Sequence, residues 1–93
     1  METNQQQDLM LCERAIEMYS DIEAAIERGS TGYARERLAD LSSLLRIQTQ
    51  CSAFHSAYAY LPRARASFHD FKSELAYSKT YVEGYLDQLK QMP

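Results

Sequence analysis

Residues able to do chemistry are few in this sequence, and their spacing decides what they could do. Cys51 and His55 stand four apart, so on a helix they share a face, and His69 follows where a returning helix would bring it near. Three such side chains suit zinc. No CxxC or HExxH spacing accompanies them, and no acid lies at helical spacing beside the pair as a fourth ligand or a base. As a nucleophile, Cys51 would need His55 as base, a third group to orient it and a turn exposing the sulfur, and a mid-helix position supplies none of these. The carboxylate pairs Glu13 with Glu17 and Glu23 with Glu27 read as the solvated face of a helix. Gly29, Gly32 and Gly84 fit neither common phosphate-loop spacing. The expectation is a non-enzymatic chain with no catalytic residue, no metal and no cofactor.

Two surfaces remain that could recognise a partner. Arg63, Arg65 and Lys72, with His69 nearby and Tyr58 and Tyr60 just upstream, combine phosphate-binding cations with rings for base stacking. A net charge of -3 and a pI near 5.3 oppose that use, so a helical regulator contacting nucleic acid is the alternative reading. Tyrosine is the compositional outlier, with seven among 93 residues. Tyr77, Tyr81 and Tyr85 repeat every four positions and lie along one flank of an apolar stripe. They either close the edge of the core or, with Tyr58, form a binding face, since tyrosine buries a ring while keeping a polar tip.

The elements that must carry these residues follow from helical periodicity, because no stretch alternates apolar and polar residues over strand length. Helix one, about 8–28, gathers Leu9, Cys12, Ile16, Tyr19, Ile22 and Ile26 on one face, with Asp8 as its cap, after a flexible polar segment over 1–7. Gly29 suits the left-handed position that ends a helix, and Ser30 or Thr31 suits the cap of the next, so a tight reversal is expected there. Helix two, about 32–60, has the widest apolar arc, from Ala34, Leu38, Leu41 and Leu45 to Leu44, Ile47, Cys51, Phe54, Tyr58 and Leu61. It is expected to be central, with Gln48 and His55 as buried polar residues that fix its register. Pro62 marks either a reversal or a kink. Helix three, about 62–90, repeats Ala64, Phe68, Phe71, Leu75, Ser78, Val82, Tyr85 and Leu89 in steps of four and three, which is coiled-coil spacing.

Charge is unevenly spread. Residues 1–27 hold seven acids and one Arg (-6), residues 28–72 seven bases and three acids (+4), and residues 73–93 three acids and two Lys (-1). An acidic first helix beside a basic second one accounts for this arrangement. Cys12 and Cys51 are too few for a disulfide framework and read as reduced thiols. No apolar run approaches the roughly 20 residues of a membrane span, and none resembles an export signal, so a cytoplasmic protein is expected. Together these readings predict one all-α domain over 8–90: an antiparallel three-helix bundle, or a long helical hairpin with coiled-coil-like packing, completed by dimerisation. The predicted role is a protein-interaction module (an adaptor, a secretion-type chaperone or a small inhibitor) that meets a protein partner through Tyr58, Tyr77, Tyr81, Tyr85, Arg63 and Arg65.

Overall fold

The computed structural model of the chain describes residues 2–47, 51–61 and 68–91. Among the described residues there are four α-helices and no strand: α1 is Glu2–Arg28, α2 Thr31–Ile47, α3 Ser52–Ala59 and α4 Phe68–Gln91. The all-α class is what the chain adopts, with one helix more than the periodicity suggested.

Helix α1 begins at Glu2 rather than at Asp8. Nothing between Glu2 and Gln7 breaks a helix, Glu and Gln are good helix formers, and extending a helix is far easier than nucleating one. Asp8 is therefore interior to α1 and caps nothing there; its carboxylate accepts a hydrogen bond from the Tyr85 hydroxyl at 2.6 Å. At the other end Gly29 takes φ +78°, which a side chain would resist. Its N–H bonds the Ile26 carbonyl at 3.0 Å and the Ser30 N–H bonds the Ala25 carbonyl at 2.8 Å. This paired pattern is a Schellman motif, and it satisfies two carbonyls that α1 would otherwise leave open. The chain turns back at once into α2. Asp21 of α1 fastens the pair by accepting from the Tyr33 hydroxyl at 2.6 Å and from Arg37 Nε at 3.0 Å, while Arg37 Nη1 reaches Asp40 at 3.0 Å. The Tyr33 hydroxyl, and after it Arg37, hold the Asp21 carboxyl below its ordinary range.

The single helix expected over 32–60 is two helices. Cys51 has extended backbone (φ -88°, ψ 115°) and stands at the N-cap of α3, while α2 ends at Ile47. Contacts along the chain give the directions. Asp8 with Tyr85, Tyr19 with Ser78, and Glu23 with Lys79 (2.9 Å) set α1 antiparallel to α4. Phe54 with Tyr85, Ala57 with Ser78, and Tyr60 with Tyr77 set α3 antiparallel to α4. Since α2 opposes α1, α3 lies antiparallel to α2 as well as to α4. The break expected at Leu61-Pro62 falls on Pro62, which, like Gln48 and Ala64, lies outside the described residues. Helix two is also not central. The helices form a ring in which α1 packs on α2 and α4, and α3 packs on the same two.

The core draws on all four. Cys12, Ala15, Tyr19, Ile22 and Ala25 of α1 meet Leu41, Leu44 and Leu45 of α2, Phe54 and Ala57 of α3, and Phe71, Leu75, Val82 and Leu89 of α4. Ile16 and Ile26, expected on the apolar face of α1, are only partly buried, whereas Ala15 and Ala25 are fully buried on a helix that packs on two neighbours at once. Each large apolar side chain buried here contributes roughly 1.5–3 kcal/mol. Such burial is what creates α3, since eight residues fall short of the roughly 12–15 that hold an isolated helix in water.

The buried polar residue is not His55, which is exposed, but Ser78. Ser78 Oγ donates to the Ala57 carbonyl at 2.6 Å. Its one hydrogen is thereby used, so the Tyr19 hydroxyl, 2.6 Å away, donates to Ser78. The Ala57 carbonyl needs this partner because it lies in the last turn of α3, where the Tyr60 N–H bonds Ser56 and the Leu61 N–H bonds Tyr58. One hydroxyl thus ties α1, α3 and α4 together. Both cysteines are free thiols, Cys12 buried and Cys51 partly so. Among the described residues no helix is long and apolar enough to cross a membrane.

Candidate interaction surface

The surface with the most organised exposed side chains lies where α3 ends against the middle of α4. Tyr77 and Tyr81 are one turn apart on α4, so their rings share a side of it. Tyr60 follows α3 as its C-cap, where φ -100° and ψ 9° end the helix and deliver the ring to the same place. Tyr60 stacks on Tyr81 with ring centres 5.5 Å apart and planes 5° from parallel. It meets Tyr77 edge-on at 4.8 Å, and Tyr77 meets Tyr81 edge-on at 5.6 Å. Offset stacking and edge-to-face contact are the two arrangements that the charge distribution of an aromatic ring favours. The three rings therefore hold one another in place, although Tyr60 is 48% exposed and Tyr77 52%. They form a fixed aromatic ledge open to solvent.

A shallow valley runs between α3 and α4 on either side of the ledge. Towards the N-terminal end of α3 it is lined by Ser52, Ala53, Ser56, Thr80, Gly84 and Gln88, and on the other side by Ala59, Leu61, Ser73 and Glu74. Helix α3, with the sequence SAFHSAYA, carries no carboxylate, Lys or Arg. Gly84 is helical and not at positive φ, and a Cβ placed on it would meet nothing within 4 Å. Nothing inside the chain calls for a glycine there, and glycine in a helix interior costs about 1 kcal/mol relative to alanine.

The residues expected to bind a partner are distributed unevenly. Tyr77 and Tyr81 lie in the ledge. Tyr85, one turn further along α4, does not join it: its ring packs edge-on against Phe54 at 5.7 Å and its hydroxyl is held by Asp8, so it fastens α3 and α1 to α4. Tyr58 is exposed on α3 and makes none of the ledge's ring contacts. Arg63 and Arg65 lie outside the described residues, and Lys72 is exposed on α4. Tyr60, which the sequence places beside the basic cluster, is instead the ring that links Tyr77 and Tyr81 to α3. Its cue was its position just before the Leu61-Pro62 break, where a helix end turns its last side chains towards the returning strand of chain. Cys51 stands at the head of α3 and His55 is exposed, while the side chain of His69 is outside the described set. Among the described residues no three His, Cys, Asp or Glu side chains are grouped so as to hold a metal ion.

Protonation in and behind this surface has a clear direction. The Tyr77 hydroxyl, 3.5 Å away, and then partial burial push Tyr81 up to about 12. Burial pushes Tyr19 up to about 12 as well, and burial followed by the neighbouring Cys51 does the same to Cys12. Burial, then the hydrogen bond to Asp8, raises Tyr85. In each case the folded chain holds its proton more tightly than the unfolded chain. Stability is therefore complete below the ordinary values of 9.0 for Cys12 and 10.0 for tyrosine, and is lost as pH rises through about 12. Urea denaturation at stepped pH should show a plateau up to about 9 and a steep fall above it, with Tyr19 alone contributing about 2–3 kcal/mol. Tyr19→Phe should shallow that fall, and an identical alkaline profile in the variant would remove Tyr19 as a source. No protein-family model matches the chain, and no curated protein or solved structure is similar to it.

Proposed function

We propose that the chain is a non-enzymatic protein-binding module, an adaptor, secretion-type chaperone or small inhibitor, whose contact surface is the Tyr60, Tyr77 and Tyr81 ledge with the α3–α4 valley beside it. The observation that carries this reading is three tyrosines, from the end of α3 and from α4, held ring to ring while two of them, Tyr60 and Tyr77, stay about half-exposed. Ordering those rings before a partner arrives removes an entropy cost that binding would otherwise meet. Tyrosine is also the side chain enriched where interfaces concentrate their energy, and charge is depleted there, as it is on α3. Completion of the fold by dimerisation belongs to the same reading, since the ledge and valley could be covered by a second copy.

The test is affinity for a captured partner, measured for the wild type and for Tyr77→Ala and Tyr81→Ala. Each substitution should cost about 2 kcal/mol of binding, roughly a 30-fold loss, with the circular dichroism spectrum unchanged for Tyr77→Ala, whose ring is exposed, and helicity largely kept for Tyr81→Ala, whose ring packs on the edge of the core. Undiminished affinity, or a loss that follows falling helicity, would make the tyrosines ordinary edge packing.

A further inference from the structure

We propose that the valley on the Leu61 side of the ledge receives an arginine side chain of the protein partner, with Glu74 as counter-ion and the Tyr60 and Tyr77 rings as the surface on which the guanidinium lies. The inference rests on the reading that this face binds protein, and it names the chemistry that the partner brings. Charge selects the occupant. Among the described residues that line the valley on the two sides of the ledge, Glu74 is the one formal charge, and α3 supplies no Lys or Arg to neutralise it. Glu74 is exposed and enters none of the ion pairs formed among the described residues. The lysines of α4 are turned elsewhere. Lys79 reaches Glu23 on α1 at 2.9 Å, and Lys72 and Lys90, seven places before it and eleven after, share that side of the helix. Glu74, Tyr77 and Tyr81 fall on the side towards α3. Exposed Glu83 and Asp87, further along α4, add charge of the same sign, as does the net -3 of the chain. A cation is drawn to this face and an acidic partner is repelled.

The rings narrow the cation to arginine. Glu74 and Tyr77 are three apart on α4, so carboxylate and ring are neighbours on the helix surface. Tyr60 meets Tyr77 edge-on at 4.8 Å, and about half of each residue stays exposed. A guanidinium is planar, so its face stacks on an aromatic ring while its edge donates two parallel hydrogen bonds to a carboxylate, an arrangement closed to the rounded ammonium of lysine. Ala59 and Leu61 line the same valley and give the apolar stem of the arginine a surface to lie on. Tyrosine and arginine are also the side chains in which interfaces concentrate their binding energy.

The test titrates the full chain, in low-salt buffer, with capped tripeptides that carry arginine, lysine or citrulline between glycines; citrulline keeps the shape of arginine without its charge. The arginine peptide should move the amide NMR signals of Tyr60, Leu61, Glu74 and Tyr77 saturably, with a Kd in the millimolar range fitting a single exposed side chain. The lysine peptide should bind at least about threefold more weakly, and the citrulline peptide should not saturate. Glu74→Gln and Tyr77→Leu should each weaken the arginine peptide at least about fivefold with the circular dichroism spectrum unchanged, since both residues are exposed, whereas Glu83→Gln should leave binding unchanged. Signals that do not move overturn the proposal, as do equal binding of the lysine peptide, undiminished binding in Glu74→Gln, or an equal loss in Glu83→Gln. If the arginine peptide fails yet a captured protein binds in a Tyr81-dependent manner, the arginine is wrong and the binding-module reading stands. If neither the peptide nor any protein depends on the ledge, both fall.

Discussion

Ser78→Ala should lower stability by about 2–4 kcal/mol, far more than the loss of one small hydroxyl suggests. Two buried groups are stranded by it: the Ala57 carbonyl loses its donor and the Tyr19 hydroxyl its acceptor. Each buried, unpartnered polar group costs about 1–3 kcal/mol, because water cannot reach in to replace the bond. Tyr19 and Ala57 are both fully buried, and every buried side-chain nitrogen and oxygen among the described residues has a partner in the wild type. The melting temperature should fall by roughly 10 °C or more in a domain of this size. Tyr19→Phe in the Ser78→Ala background removes one stranded group and should restore about 1 kcal/mol, a coupling read from the four corners of a double-mutant cycle. A loss for Ser78→Ala below about 0.5 kcal/mol, the level of an ordinary surface change, would mean the three-helix tie contributes little.

Phe54→Ala should have the larger effect on function. Removing a buried Phe costs about 3–5 kcal/mol through lost transfer energy and the cavity left behind. In α3 the loss is concentrated, because Phe54 and Ala57 are the buried residues of this eight-residue helix and Phe54 also packs edge-on with Tyr85. The expected result is release of α3 before the rest of the ring unfolds, seen as loss of amide exchange protection over 52–59 ahead of α1. Tyr60 would leave with it, so partner binding should fall further than for Tyr81→Ala although Phe54 is 1% exposed and touches no partner. Protection lost uniformly along the chain would show that α3 is not a separate unit of stability.

Much of this architecture can be read from the residues. The stripe Phe71, Leu75, Ser78, Val82 and Leu89 is buried as its spacing implies, and Gly29 ends α1 through the left-handed geometry that glycine favours. The division into α2 and α3 is hard to read for a physical reason. No Gly or Pro interrupts the run from Leu44 to Phe54, so the change of helix shows only as a widened apolar arc, with Leu38, Leu41 and Leu45 on one side of it and Phe54 and Ala57 on the other. Asp8 resembles a cap because acids suit helix starts, but its partner is Tyr85, which lies 77 residues away. The candidate site was half legible. A four-residue repeat puts Tyr77, Tyr81 and Tyr85 on one flank, yet only the neighbours of that flank decide which rings stay outside. Phe54 and Asp8 claim Tyr85, and Tyr60, from beyond the flank, takes its place.

The order in which the ring of helices closes gives the ledge a further meaning. Helices α1 and α2, joined by Gly29 and Ser30, can form a hairpin from local contacts alone, whereas α4 meets α1 only across most of the chain. The ledge belongs to α3 and α4, so a chain that has made its first hairpin and nothing more displays no trace of it. Any molecule that grips those three rings is thereby reading the pairing of α3 with α4, and passes over chains in which only the first hairpin has formed.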